Sequence, residues 1–195
     1  MSQAAPARMA PDEFLTWALD QLGRHELVGG RPKMLSDVQR RHDQIVINTL
    51  AELGNQLRGA SCCPFSAGLA VRIPNANIRR PDAGVDCGTY DDDALAADRP
   101  VLVIEVLSAS TRDFDLFGKV EEYKTVPSLV HVVLVNPDEP QAVHWTRAGA
   151  APWSYRLHEG LDAALALDPP GVTLRLADLY EGLAFRPRPR LVAEA

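Results

Sequence analysis

The chain has 195 residues, which suits one domain around a single well-buried core. With 46% hydrophobic and 24% charged residues it is composed like an ordinary globular protein, and wholesale disorder is excluded. A net charge of -6 argues against a protein that wraps nucleic acid through a broad basic face. A carboxylate-rich metal site remains compatible with it, because a bound cation offsets the acids.

In chain order, residues 1–10 read as a flexible tail without the apolar stretch of a signal peptide. Pro11, Asp12 and Glu13 open a short helix carrying Phe14, Leu15, Trp17 and Leu22, since proline and acids suit a first turn. His25 to Val28, Gly29-Gly30 and Arg31 to Leu35 predict a hairpin. Residues 37–57 predict a long helix, with Val46, Thr49 or Leu50, Leu53 and Leu57 at helical spacing.

Strands follow. Phe65 to Ile73 is one candidate and Arg80 to Val85 another. Asp91-Asp92-Asp93 reads as a solvated acidic loop. Val101 to Leu107 is apolar on both faces, as a central strand is. A helix at about 113–125 carries an apolar stripe of Leu116, Phe117, Val120 and Tyr123. Leu129 to Val135 is again doubly apolar, so strand, helix and strand predict a parallel crossover. Segments 142–147, 153–158 and 172–175 predict antiparallel edges, Ala177 to Leu183 a closing helix, and 186–195 a second flexible tail. The fold class is α/β, a mixed α+β sheet with flanking helices in one domain over 11–185.

Cys62, Cys63 and Cys87 are an odd number without CxxC spacing, which argues against a zinc ribbon or disulfide framework and for a reducing cytoplasm. No run reaches the length of a membrane span.

Glu105 is the first chemical signal. It lies mid-strand in the most apolar segment of the chain, and a lone buried carboxylate costs several kcal/mol unless a cation, a metal or a proton compensates. The period of two puts Val103, Glu105 and Leu107 on one face. Asp82 follows Pro81, which favours extended geometry. If the two strands pair, Asp82 and Glu105 converge, and two carboxylates plus a backbone carbonyl and waters form the hard-oxygen site that Mg²⁺ prefers.

Only three lysines stand against seventeen arginines. One of them, Lys119, lies at the border of its helix's apolar stripe, from which its stem can run along the core and place the ammonium over the sheet near Glu105. Metal and lysine together suit phosphoryl chemistry. Glu26, ahead of the Gly-Gly turn, is a further carboxylate for a second metal or a bridging water, or else an exposed strand acid. His42 could approach the same place from the long helix, but a packing or surface role is the favoured reading. His131 reads as a satisfied core histidine.

The order of these motifs resembles the Uma-type restriction endonuclease family within the PD-(D/E)XK nuclease superfamily. The resemblance runs from Asp12-Glu13-Phe14-Leu15 and His25-Glu26-Leu27-Val28-Gly29-Gly30 through Pro81-Asp82-Ala83-Gly84-Val85 and Ile104 to Thr111. It closes with Gly118-Lys119, Tyr123, Pro127-Ser128-Leu129 and Leu179-Tyr180-Glu181-Gly182. It implies a restriction-endonuclease-like core, with Asp82 and Glu105 as Mg²⁺ ligands and Mn²⁺ as a substitute. The Val106 carbonyl would be a further ligand, Lys119 a lysine displaced onto the helix because Leu107 occupies its usual place, and Glu26 an acid of the opening hairpin. The implied partner is DNA, cut by a homodimer. Arg79, Arg80, Arg112 and Ser110 become candidates for gripping phosphate, with surface exposure and helix capping as the alternatives. Gly29, Arg31 and Ala109 depart from the family pattern. Two rival readings stay open: a nuclease-fold module that binds nucleic acid or a partner without catalysis, and a structural domain in which Glu105 only pairs with a cation.

Overall fold

The computed structural model describes residues 8–107 and 115–185. Helix α1 spans Pro11–Leu19, and the hairpin strands β1 and β2 span His25–Val28 and Arg31–Met34. Gly29 and Gly30 both take positive φ, the condition for a tight two-residue hairpin turn. Helix α2 spans Arg40–Gln56. Of the first tail, residues 1–7 lie outside the described residues, but Met9 donates its N–H to the Gly30 carbonyl, so the packed chain begins before residue 11.

The segment expected as one strand over Phe65 to Ile73 is divided between two sheets. Strand β3 covers Cys63–Ser66 and β4 covers Val71–Arg72, separated by a turn in which Leu69 donates to the Ser66 carbonyl. The expected strand Arg80 to Val85 is divided in the same way: β5 is Ile78–Arg79 and β6 is Ala83–Asp86. The crossing falls at Arg80, Pro81 and Asp82, where proline cannot donate to a ladder.

The remaining elements are β7 (Pro100–Val106), α3 (Asp115–Lys124), β8 (His131–Asn136), β9 (Gln141–Thr146), β10 (Ser154–Glu159), β11 (Ala164–Leu167), β12 (Val172–Arg175) and α4 (Leu176–Leu179). The sequence reading missed β11.

The main sheet has six strands in the order β10-β9-β8-β7-β6-β3, and a smaller sheet has the order β2-β1-β5-β4. The β7–β8 pair is parallel, as the crossover required, and the other pairs of the main sheet are antiparallel. Every residue of β7 is buried because both faces are covered. On one face Leu102 and Ile104 pack with Ile45 and Leu53 of α2 and Leu165, Leu174 and Leu179 of the closing hairpin and helix. On the other, Val103 packs with Val120 and Tyr123 of α3. Each such fully buried large side chain stabilises by roughly 1.5–3 kcal/mol. Phe117, expected in the apolar stripe of α3, is instead 68% exposed, and the Leu116 side chain lies outside the described residues.

Gly84 is required where β3 and β6 pair: a Cβ there would run into the Phe65 ring and the Leu102 carbonyl oxygen. One register step beyond the Cys63–Asp86 pair, Cys62 and Cys87 form a disulfide. Three cysteines without CxxC spacing argue against a disulfide framework, and the structure nevertheless holds this one bridge. Strand pairing brings together two cysteines whose separation in sequence carries no signal. Among the described residues no helix is long and apolar enough to cross a membrane.

Candidate active site

Asp82 lies in the crossing between the sheets, one residue before Ala83, which pairs with Ile104. In an antiparallel pair that places Asp82 across from Glu105, on the α3 face. The Val106 N–H donates to Asp82 Oδ2 at 2.8 Å, and His42 Nε2 lies 3.2 Å from the same oxygen. Glu105 is buried. Its Oε1 accepts from Tyr123 Oη at 2.7 Å and from Lys119 Nζ at 3.2 Å. Lys119 and Tyr123 are four residues apart, so α3 presents both to Glu105 from one face.

Lys119 Nζ also lies 3.0 Å from Glu26 Oε1. Glu26 is not the exposed strand acid that its position allowed: its residue is 1% exposed. Arg79 Nη1 donates to Glu26 Oε2 at 2.9 Å, the Arg80 N–H donates to Oε1 at 3.1 Å, and Arg79 Nε reaches Glu122 Oε2 at 2.6 Å. Arg79, a candidate phosphate contact from sequence, is therefore buried between two carboxylates and turned away from solvent. It could not be read from sequence because Glu122, its partner, lies 43 residues away.

Arg80 lines the cleft, and its guanidinium is held by the carbonyls of His25, Ala67 and Gly68. The other two candidates, Arg112 and Ser110, lie outside the described residues, as do Ser108 and Thr111.

The charges follow from burial and neighbours. Burial pushes the Glu105 carboxyl up to about 7; Lys119 pulls it down, Asp82 and Glu26 push it up, and the Tyr123 hydroxyl pulls it down. Burial alone would lower Lys119, but Glu105 and Glu26 outweigh it and hold the ammonium well above its ordinary range. Burial likewise acts to lower His42, and the hydrogen bond and charge of Asp82, with the Val106 carbonyl and Glu105, carry it above its ordinary value.

Asp82, Lys119, His42, Arg80 and Glu26 line one cleft of about 280 Å³, with Met34 and Val38 among its apolar lining. Among the described residues no group of three or more His, Cys, Asp and Glu side chains could hold a metal. The donor set is two carboxylates, Asp82 and Glu105, with the Val106 backbone beside them. Such a set suits a hard cation that keeps most of its waters. Two carboxylates and a backbone carbonyl beside the cleft are a donor set of a kind that a divalent cation could use while keeping most of its waters.

The sequence singles out Asp82, Glu105, Lys119 and Glu26 as candidates, and the structure brings these four side chains together. The sequence reading missed Glu122 and the hydroxyl of Tyr123, although the spacing of Lys119, Glu122 and Tyr123 on one helical face was available as a signal. His42, for which a packing or surface role is the favoured sequence reading over an approach to the cleft, lies beside Asp82.

A family model described as "Putative restriction endonuclease", Uma2, matches residues 11–184. The chain belongs to the Uma2 family. An uncharacterised protein of Synechocystis sp. is 28% identical over 187 residues, covering 94% of this chain and 98% of that protein. Among solved structures, one titled a putative nuclease belonging to DUF820, from Anabaena variabilis, superposes with a TM-score of 0.68 at 16% identity, over 88% of this chain and 97% of that one. That likeness shows a shared fold, and the mixed sheet with flanking helices is the Uma2 chain's version of it.

Proposed function

We propose that the chain is a Mg²⁺-dependent endonuclease that hydrolyses phosphodiester bonds in DNA. The observation that carries this reading is that Asp82 and Lys119 line one cleft, with the buried Glu105 directly behind it, 3.2 Å from Lys119 Nζ and across the strand pair from Asp82. Asp82 and Glu105, with the Val106 carbonyl, would hold the cation. When bound, Mg²⁺ or Mn²⁺ supplies Lewis acidity toward a phosphoryl oxygen and a water of lowered pKa.

The chain's own groups then position and stabilise. Lys119, kept protonated by its two carboxylate neighbours, orients a water or offsets charge growing at phosphorus. Glu26, pinned by Arg79 and the Arg80 amide, anchors that ammonium rather than acting as a free acid. Arg80, with Ser110 and Arg112, is the candidate for holding the substrate's phosphates. Cutting both strands of a duplex calls for a homodimer. The expected cytoplasmic location rests on cysteine usage, and the Cys62–Cys87 disulfide removes that support.

The test is nicking of supercoiled plasmid with Mg²⁺ or Mn²⁺. Asp82→Ala, Glu105→Ala and Lys119→Ala should each lower the rate by about a hundredfold or more. Robust cleavage by all three variants, or in excess EDTA, overturns the proposal. The net charge of -6 favours a second reading, a nuclease fold that binds without cutting. That reading expects no cleavage with any metal and little change in Mg²⁺ affinity for Asp82→Ala.

A further inference from the structure

His42 stands third in α2, on the stripe that continues through Ile45, Thr49 and Leu53. All four residues are buried, so the helix fixes where the imidazole sits before any chemistry is considered. An aliphatic side chain would fill that position at no polar cost. The imidazole instead leaves its Nδ1 buried without a hydrogen-bond partner among the described residues. An unsatisfied buried acceptor destabilises, as it does at His131 Nε2 and His158 Nε2, so any gain from the His42 imidazole has to come through its other nitrogen.

Its other nitrogen has a defined task. Nε2 lies 3.2 Å from Asp82 Oδ2, the oxygen that also accepts the Val106 N–H at 2.8 Å, and the Val106 carbonyl is a second acceptor beside the ring. An ionised carboxylate only accepts, so Nε2 carries the hydrogen. The carboxylate torsion of aspartate is soft. With one donor it can swing; with two donors converging on Oδ2 its plane is held.

We propose that His42 is a positioning residue for the metal site: its Nε2–H and the Val106 amide together hold Oδ2 of Asp82 and leave Oδ1 as the oxygen available to a divalent cation. This rests on the metal-dependent reading above and adds to it a residue from a different layer of the fold. The chemistry is that of outer-sphere hydrogen bonds that orient a ligating carboxylate.

Two amide variants separate reach from polarity. The side-chain nitrogen of Gln sits near the position of Nε2, whereas that of Asn sits near Nδ1 and falls short of Asp82. Calorimetric titration of the full chain with Mn²⁺ alone should find His42→Gln close to wild type and His42→Asn about 10–100-fold weaker. Melting temperatures of both variants, taken without metal, tell a lost fold from a lost orientation, and His42→Gln decides the matter if His42→Asn does not fold. Affinity unchanged in a folded His42→Asn, or lost in a folded His42→Gln, overturns the role. In metal-free protein at alkaline pH, nitrogen chemical shifts should show the Nε2–H tautomer of His42, and the Nδ1–H tautomer also overturns it. A wild-type chain that binds no Mn²⁺ brings down the metal reading itself, and the two failures are thereby distinct.

Discussion

The two faces of the main sheet bury polar groups in opposite ways. On the α3 face, Glu105, Lys119, Glu26, Arg79 and Glu122 form a chain of opposite charges in contact. On the other face, His131, His144 and His158 run diagonally across β8, β9 and β10, with His131 Nδ1 and His144 Nε2 2.9 Å apart and ring centroids 5.0 and 5.9 Å apart along the file. Burial lowers the pKa of all three, and for His144, where His131, His158 and Arg156 add to it, the value falls to about 4. The sheet thus keeps charge where a counter-charge is built in, and keeps imidazoles neutral where none is. The first arrangement gathers the charged groups beside the cleft, and the second stacks uncharged rings across three strands.

The largest effect expected from breaking this contrast is at Arg79. Replacing it with Met leaves Glu26 and Glu122 without their shared partner, and loss of one member of a buried ion pair costs about 3–5 kcal/mol. Urea unfolding should show it, and an unchanged midpoint would mean that the network is not what holds the hairpin to α3.

The two faces should also titrate in opposite directions. The Glu105 carboxyl rises on folding from 4.5 to about 7, so in metal-free protein its contribution is present in full below the lower value and lost as pH rises through the higher one. His144 falls from 6.5 to about 4, so its contribution is present above the higher value and lost as pH drops through the lower one. Allowing for partial hydration, the acid limb is worth about 2 kcal/mol. Glu105→Gln should flatten the alkaline limb only, and His144→Gln the acid limb only. A variant that flattens the other limb breaks the assignment.

The smallest effect belongs at the surface. Arg72 pairs with Asp12 at 2.6 Å, with both side chains largely exposed. Arg72→Ala should shift stability by about 0.5 kcal/mol or less, which thermal melting can bound.

Periodicity and composition alone determined much of this protein. The doubly apolar run around Glu105 marked a central strand, the Gly-Gly step marked a hairpin, and strand-helix-strand order marked the parallel pair. An acid inside a dry strand and a lysine at a stripe's border marked two residues that meet in the candidate site, because burying a charge has a cost that any sequence must answer. Other features were decided only when the chain folded. The crossing at Arg80, Pro81 and Asp82 hands the chain from one sheet to the other, and no local pattern separates that from a continuous strand. Arg79 turned inward to Glu26 and Glu122, Cys62 met Cys87, and His42 reached Asp82 from another layer. Each of these depends on partners distant in the sequence, and a side chain's partner across a sheet or between layers is set by register and packing, which leave no trace in the spacing of residues along one strand or helix.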